Sequence, residues 1–418
     1  MAKNKLITAI DIGSSHIKSL IAEDPGEREQ LRVIGIGTAP ALGLRKGAVV
    51  NVEEVANSIS ESIEQCEKMA GVDISRAVIS IGGSEISTQN SKGVVAIGKA
   101  DGEVTEDDIE RVIQAAKTIS IPPNREIIHI SPRSYRLDDQ DKIKDPLGMN
   151  GVRLEVDALI VESSVPHIKN LTKSVYQAGI EIDEMVLEPL AAARAILSKQ
   201  QKELGTALIN FGGSTTSLAV FEESELIHAA VIPVGSNHIT NDIAIGLRTS
   251  IEIAEKVKLE YGRAISREIN KKDEIDLSKI DSNEEGIVSH NHVAEIIEAR
   301  LEEILGMVNK ELKSIGKAGL LPGGAVLTGG GAKLPQIVDL AKETLRLPAQ
   351  VGYPTRLGGV LNRVDDPSFA TAIGLLIWMK DFGSNPENFY GSGLIKDISK
   401  SAGNTVGKVK KWLEKFLP

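Results

Sequence analysis

Two short turns carry residue types that could hold an anion. DIGSS begins at Asp11 and NFGGSTT at Asn210, and each follows an apolar run of strand character. Glycine lets the chain turn tightly and brings backbone N–H groups close to a bound phosphate, while Ser and Thr hydroxyls add donors. Taken singly, either turn reads as a glycine hairpin with no ligand, since turns favour Gly and Ser anyway. Together they are harder to dismiss: Gly13, Ser14 and Ser15 of one, facing Gly212, Gly213 and Thr215 of the other across a cleft, would hold a polyphosphate from both sides. A third stretch, AVLTGGGAKLPQIVDLAKETL, is a strand ending in Gly329, Gly330 and Gly331 and followed by an amphipathic helix. Strand, glycine loop and helix N-terminus suit an anion or nucleotide, although the pattern is neither G-x-G-x-x-G nor a P-loop. In SIEIAEKVKLEYG, Glu255 and Lys258 share a helix face at i, i+3, where a solvated ion pair is the plain alternative to a ligand contact.

These residues need elements to position them. LITAIDI, HIKSLIAE and LRVIGIG predict a β-meander, and the spacing of Val52, Val55, Ile59, Ile63 and Cys66 predicts a helix over 51–70 with one apolar face, followed by the buried strand AVISIGG. Residues 84–163 form a different block, with a helix in TEDDIERVIQAAKTIS and strands in REIIHISPRSYRL and VRLEVDALIVES. After the helix VPHIKNLTKSVYQAG, the strand EMVLEP and the helix LAAARAILSKQ, the stretch TALINFGGSTTSLAVFEESELIHAAVIPV repeats the opening plan of strand, small-residue turn, strand, strand. The chain contains a quasi-repeat.

Composition narrows the classes. At 418 residues the chain exceeds the roughly 250–300 at which a single core stops growing, so two lobes or more are expected. The hydrophobic fraction of 41% and the charged fraction of 25% are those of a globular protein. Cys66 is the sole cysteine, which leaves no disulfide framework or cysteine metal site and fits a reducing cytoplasm. The opening MAKNKLITAIDIG has too short an apolar run for a signal peptide, and no run of about 18 apolar residues occurs elsewhere. A net charge of -10 argues against nucleic acid as a partner.

In this order the pieces resemble the actin, Hsp70 and sugar-kinase superfamily. AIDIGSSHIKSL looks like its first phosphate motif, EMVLEPLAAARAIL its first connecting helix, LINFGGSTTSLAVF its second phosphate motif, VLTGGGAKLP its adenosine motif and DPSFATAIGLLIWM its second connecting helix. Within it, AVISIGGSEI, IIHISPRSYRLDDQDKIKDPLGMNGVRLEV, PVGSNHITNDIAIGL and AEKVKLEYG resemble the FtsA family of actin-like bacterial cell-division proteins. The resemblance implies an α/β, actin-like two-lobed fold with two RNase H-like domains. It implies subdomain 1A at 1–83 and 164–195, interrupted by 1C at 84–163, and subdomain 2A at 196–225 and 302–365, interrupted by 2B at 226–301. A return helix at 366–380, a linker at 381–404 and an amphipathic helix at 405–418 complete it. It further implies ATP with Mg²⁺, self-association into actin-like filaments, later division proteins meeting 1C, and the C-terminal peptide of FtsZ meeting 2B. On this likeness Gly13, Ser14, Ser15 and Lys18 line one side of the phosphates, Gly212, Gly213 and Thr215 the other. Glu255 and Lys258 stand at the ribose and adenine, Gly329, Gly330 and Gly331 beneath the nucleoside, and Arg300 toward the acidic peptide unless it is merely part of a solvated helix face.

One departure matters for turnover. The second phosphate motif usually opens with Asp, and here Asn210 stands there, leaving Asp11 to keep a metal near the phosphates. Slow hydrolysis at most is expected, unless Asn210 orients a metal-bound water. The C-terminus is a further oddity. Val406, Val409, Leu413 and Phe416 follow helical spacing, Trp412 and Leu417 widen the apolar stripe, and Lys408, Lys410, Lys411 and Lys415 lie on or beside the opposite face. Such a helix could dock on its own domain or lie in a membrane interface with its lysines on anionic lipid. The Gly, Ser and Asn-rich linker before it and the family's C-terminal membrane helix favour a peripheral protein on the cytoplasmic face of the plasma membrane at the division site. The alternatives are a PilM-like scaffold of a pilus machine and a small-molecule kinase of the same superfamily.

Overall fold

The computed structural model describes residues 5–26, 29–118, 122–282, 286–354, 357–359 and 364–383. Almost all of the expected linker and the whole of the C-terminal helix therefore lie outside the described residues, Val406, Val409, Lys411, Trp412, Leu413, Phe416 and Leu417 included.

Strands β1 (Lys5–Ile12), β2 (His16–Asp24) and β3 (Arg32–Pro40) form the expected meander, and a small ribbon of β4 (Leu44–Arg45) and β5 (Ala48–Val49) leads to helix α1 (Val52–Ala70). Asn51 caps α1, its side chain accepting from the N–H groups of Glu53 and Glu54, and Gly71 ends it in the left-handed region at φ 70°. Val55, Ile59, Ile63 and Cys66 are buried as the spacing requires. β6 (Arg76–Ile81) and, later, β11 (Glu181–Leu187) run parallel to β1, and β19 (Gly358–Gly359) joins at β3, giving a six-stranded sheet in the order β11-β6-β1-β2-β3-β19. Helix α3 (Val165–Gln177) precedes β11, and α4 (Glu188–Ile196) and α5 (Lys199–Leu204) follow it.

The quasi-repeat folds as a second lobe of the same plan. β12 (Thr206–Phe211), β13 (Thr216–Glu222) and β14 (Glu225–Ile232) are its meander, while β17 (Ala325–Thr328) and β18 (Ala349–Val351) extend it in parallel, in the order β14-β13-β12-β17-β18. Between β14 and β17 lie α6 (Ser236–Leu247), α7 (Ile251–Tyr261), a ribbon of β15 (Glu274–Asp276) and β16 (Ile287–Ser289), and the 25-residue α8 (His290–Ser314), with α9 (Ile337–Leu345) ahead of β18. Two of the expected subdomain limits fall inside this framework. β14 pairs along its length with β13, so residue 226 lies in the main sheet, and α8 runs unbroken through 301 and 302.

Between β6 and α3 the chain builds a separate four-stranded sheet, β7-β10-β8-β9, from β7 (Ser87–Ala96), β8 (Arg125–Leu137), β9 (Gln140–Ile143) and β10 (Arg153–Ser164), with α2 (Glu106–Lys117) packed on it. Its own core includes Val112, Ile113, Leu154 and Ile160.

Helix α10 (Ala370–Phe382) returns the chain to the first lobe, where Ala370 through Trp378 are all buried, which explains an apolar run with no polar face. It crosses α4 so closely that a Cβ on Gly374 would stand 1.7 Å from the Ala191 carbonyl oxygen. Gly374→Val is therefore expected to cost about 3 kcal/mol through overpacking; urea unfolding of the variant beside the wild type measures it, and an unchanged midpoint would contradict this packing.

Candidate functional site

The two lobes enclose a cavity of about 580 Å³, and every residue assigned above to the nucleotide lines it. From the first lobe, the antiparallel register of β1 and β2 sets Asp11 opposite Lys18. Ser80 of β6 donates its hydroxyl to Asp11 Oδ1 at 2.9 Å and accepts the Ile12 N–H at 2.8 Å, which fixes the carboxylate. Burial raises the Asp11 pKa against the opposing pull of Lys18 and the Ser80 hydrogen bond. Lys18 in turn donates to the Ser368 carbonyl and lies 4.8 Å from the centre of the Phe369 ring. Burial lowers its pKa, with Asp11 and Asp366 acting the other way.

From the second lobe, Gly212 N–H donates to the Thr215 carbonyl at 2.9 Å and closes the hairpin between β12 and β13. The start of α6 packs onto it, Ser236 N–H donating to Gly212 O at 2.9 Å and Asn237 N–H to Gly213 O at 2.8 Å. The two hairpins meet: a Cβ on Gly213 would lie 2.8 Å from the Ser15 Cβ. Farther along the cleft, Lys258 Nζ donates to Glu255 Oε2 at 2.6 Å and to Thr240 Oγ1 at 2.8 Å. Lys258 is buried, so the pair is a wall of the cavity rather than a solvated surface pair.

Of the three glycines, Gly329 adopts φ 83° and donates its N–H to the Pro367 carbonyl at 3.1 Å, Gly331 packs on Phe211, and Gly330 has open space where a side chain would project. The α-helix expected directly after them does not start there. A single 3-10 turn, Gly330–Lys333, intervenes, and Leu334 is extended at ψ 126° because it precedes Pro335, so α9 begins only at Ile337.

The sequence reading missed a second buried, perturbed acid in the cleft. Glu188, the first residue of α4, accepts from Asn210 Nδ2 through one oxygen and from Ser217 Oγ at 2.9 Å through the other. Burial and the neighbouring Asp11 raise its pKa to about 7, the two hydrogen bonds opposing. An acid at a helix start is ordinarily read as a complement to the helix dipole, which concealed it. Lys333, which donates to Asp366 Oδ2 at 2.7 Å, is a further cation on the wall.

Arg300 lies elsewhere, on α8. Its guanidinium makes a forked contact to Asp242 of α6, at 2.6 and 2.9 Å, and also meets Glu303. It ties α8 to α6 within the chain.

Two carboxylates held above their ordinary range at the base of one cleft suit a divalent cation, which favours the ionised form. Among the described residues no group of three or more His, Cys, Asp or Glu could hold a metal. A small hard cation here would take Asp11 and Glu188 together with ligand oxygens and water, the mode Mg²⁺ favours.

Two lobes of repeated plan closing on glycine hairpins define an actin-like fold, and solved structures agree. PilM in a PilM-PilN type IV pilus biogenesis complex matches with TM-score 0.64 at 16% identity, covering 89% of this chain and 98% of that one. MreB5 of Spiroplasma citri bound to AMPPNP matches with TM-score 0.56 at 15% identity, covering 92% and 99%. The family model described as "Cell division protein FtsA" matches residues 207–374, and that of the SHS2 domain inserted in FtsA matches 83–162, the block between β6 and α3. The cell division protein FtsA of Bacillus subtilis is 40% identical over 90% of this chain and 84% of its own length, and that of Pseudomonas aeruginosa 36% identical over 98% of each. The chain belongs to the FtsA family of cell-division proteins.

Glu188 has a folded pKa above its ordinary 4.5, so the folded chain keeps a proton the unfolded chain releases. Its stabilising contribution is full below about pH 4.5 and is lost as pH rises through about 7. Glu188→Gln should flatten this slope, gaining on the wild type in melting temperature between pH 5 and pH 8. Parallel melting curves across that range would refute the assignment.

Proposed function

We propose that the protein is an ATP-binding, actin-like adaptor that anchors FtsZ filaments to the cytoplasmic face of the plasma membrane at the division site and helps recruit later division proteins through the domain inserted between β6 and α3. The observation that carries the nucleotide part is the meeting of the two hairpins at Ser15 and Gly213 beside the glycine loop, in a chain of this family. In this reading the turns at Gly13, Ser14 and Ser15 and at Gly212, Gly213 and Thr215 present backbone N–H and hydroxyl donors to phosphate oxygens, and Lys18 adds charge. Glu255 and Lys258 serve the ribose and adenine, with Gly330 under the nucleoside. Mg²⁺ bound with ATP supplies charge neutralisation at the phosphates. Asp11 and Glu188 hold it, and Asn210, neutral, spends its amide on Glu188 rather than on the metal. ATP then acts mainly as a ligand that closes the cleft and favours self-association into filaments. The AMPPNP-bound MreB5 of the same fold supports this choice of ligand.

Among the described residues no helix is long and apolar enough to cross a membrane. Attachment falls to the basic amphipathic segment from Val406, whose apolar face enters the interface while Lys411 and its neighbours meet anionic lipid. The FtsZ peptide is assigned to the second lobe, where Arg300 would have to exchange Asp242 for a peptide carboxylate.

Two measurements test the reading. Gly330→Leu, whose side chain enters open cleft rather than a packed wall, should abolish ATP binding in calorimetry while leaving the unfolding midpoint unchanged; retained affinity would displace the nucleotide from this loop. Truncation after Asn404, or Trp412→Glu with Phe416→Glu, should abolish co-sedimentation with anionic liposomes, and salt should weaken the wild-type interaction. Unaltered sedimentation would defeat the anchoring role.

A further inference from the structure

The inserted domain leaves and re-enters the first lobe, yet it is bonded to the second. Among the described residues β14 is an edge strand that pairs with β13 alone, so one side of its backbone is outside the sheet ladder. Side chains of the inserted domain cover that side. Thr88 of β7 donates its hydroxyl to the Ala229 carbonyl at 2.9 Å, and the guanidinium of the half-buried Arg133 on β8 donates to the Ile227 carbonyl. Lys144, just past β9, donates to the Glu223 carbonyl at 3.3 Å and pairs with Glu203 of α5 at 3.2 Å.

The strands at the root of the domain are tied to one another. Arg125 at the start of β8 donates to Glu162 Oε1 at 2.9 Å, to the Glu85 carbonyl at 2.8 Å and to Ser87 Oγ at 2.6 Å, and Ser87 Oγ donates to the same Glu162 oxygen at 2.9 Å. The Arg125 and Glu162 side chains are only 20% and 9% exposed, so this network resists bending more than an exposed pair would. A unit rooted in the first lobe's core through Ile86, Ile128, Leu159 and Val161, and bonded at its flank to the other lobe, bridges the two.

We propose that the inserted domain is an intramolecular latch that holds the two lobes in the closed-cleft arrangement, through Thr88, Arg133 and Lys144 on the open edge of β14 and on α5. The lobes also join where α4 and α10 cross and touch at Ser15 and Gly213, and rotation about that crossing parts the Ser15–Gly213 contact only if the latch opens or the domain is carried along. Closure and the orientation of the inserted domain are one equilibrium. Whatever binds the cleft biases the faces the domain presents, and whatever binds the domain biases the cleft by the same factor. This consequence rests on the cleft's taking ATP. The latch itself does not.

The test uses the full chain. Lys144→Cys with Glu203→Cys is bridged by a short bis-maleimide, the native Cys66 being buried and inert to it. Bridging should be efficient without nucleotide and fall several-fold when Thr88→Val and Arg133→Met are added. Those two substitutions alone should weaken Mg-ATP binding in calorimetry about fivefold, at the lower end of ordinary coupling between sites, and closing the bridge should restore it. An unchanged bridging yield overturns the latch. A reduced yield with unchanged ATP affinity overturns its coupling to the cleft. If no variant and no wild type binds ATP, the nucleotide reading fails, and the bridging yield still decides the latch.

Discussion

Helices α4 and α10 touch backbone to backbone, with nothing at Gly374 to separate them from Ala191. The rest of the site follows from that contact. α4 begins with Glu188 at the base of the cleft and leads on through α5 into the second lobe, while α10 follows the Pro367–Phe369 turn that takes Lys18 and Gly329 as donors. A wider crossing would shift Glu188 away from Asn210 and Ser217, and Ser368 away from Lys18. The apolar burial that fixes the crossing, from Ala370 to Trp378 against Leu190 to Ala195, therefore also fixes where charge stands in the cleft.

That charge is arranged in opposition. Burial raises both Asp11 and Glu188, and Asp11 raises Glu188 further, while Lys18 and Lys333, from opposite lobes, are both drawn toward Asp366. Two desolvated acids and two cations are the complement of an anion that brings its own divalent cation, since such a pair would give the acids a positive neighbour and the lysines a negative one.

The inserted domain adds a further connection between lobes that already meet at the crossing and at the two hairpins. Side-chain donors on edge carbonyls are weaker than a sheet ladder, about 1 kcal/mol each, and such bonds can break and re-form. At the root Glu162 is buried and Arg125 half-buried, whereas Lys144 and Glu203 at the flank are exposed.

Much of this was legible in the chain alone. The alternation of apolar and small residues gave both meanders, the glycines both hairpins, and the spacing of Val55, Ile59, Ile63 and Cys66 the buried face of α1, because each depends on residues close in sequence. The repeat of strand, turn and strand foretold two lobes of one plan. What lay beyond reach depended on partners far along the chain. Glu188 is an unremarked helix-start acid until folding sets Asn210 and Ser217, 22 and 29 residues on, against its two oxygens. Arg300 reads as a free surface cation until Asp242, 58 residues earlier, takes it in a forked pair. The place of β14 in the main sheet was decided by its pairing with β13, and its covered edge by Thr88 and Arg133, about 141 and 94 residues away. Local chemistry determined the elements and the turns that could hold an anion. Only the tertiary structure decided which charges those turns would face, since an electrostatic environment is set by neighbours in space and not by neighbours in sequence.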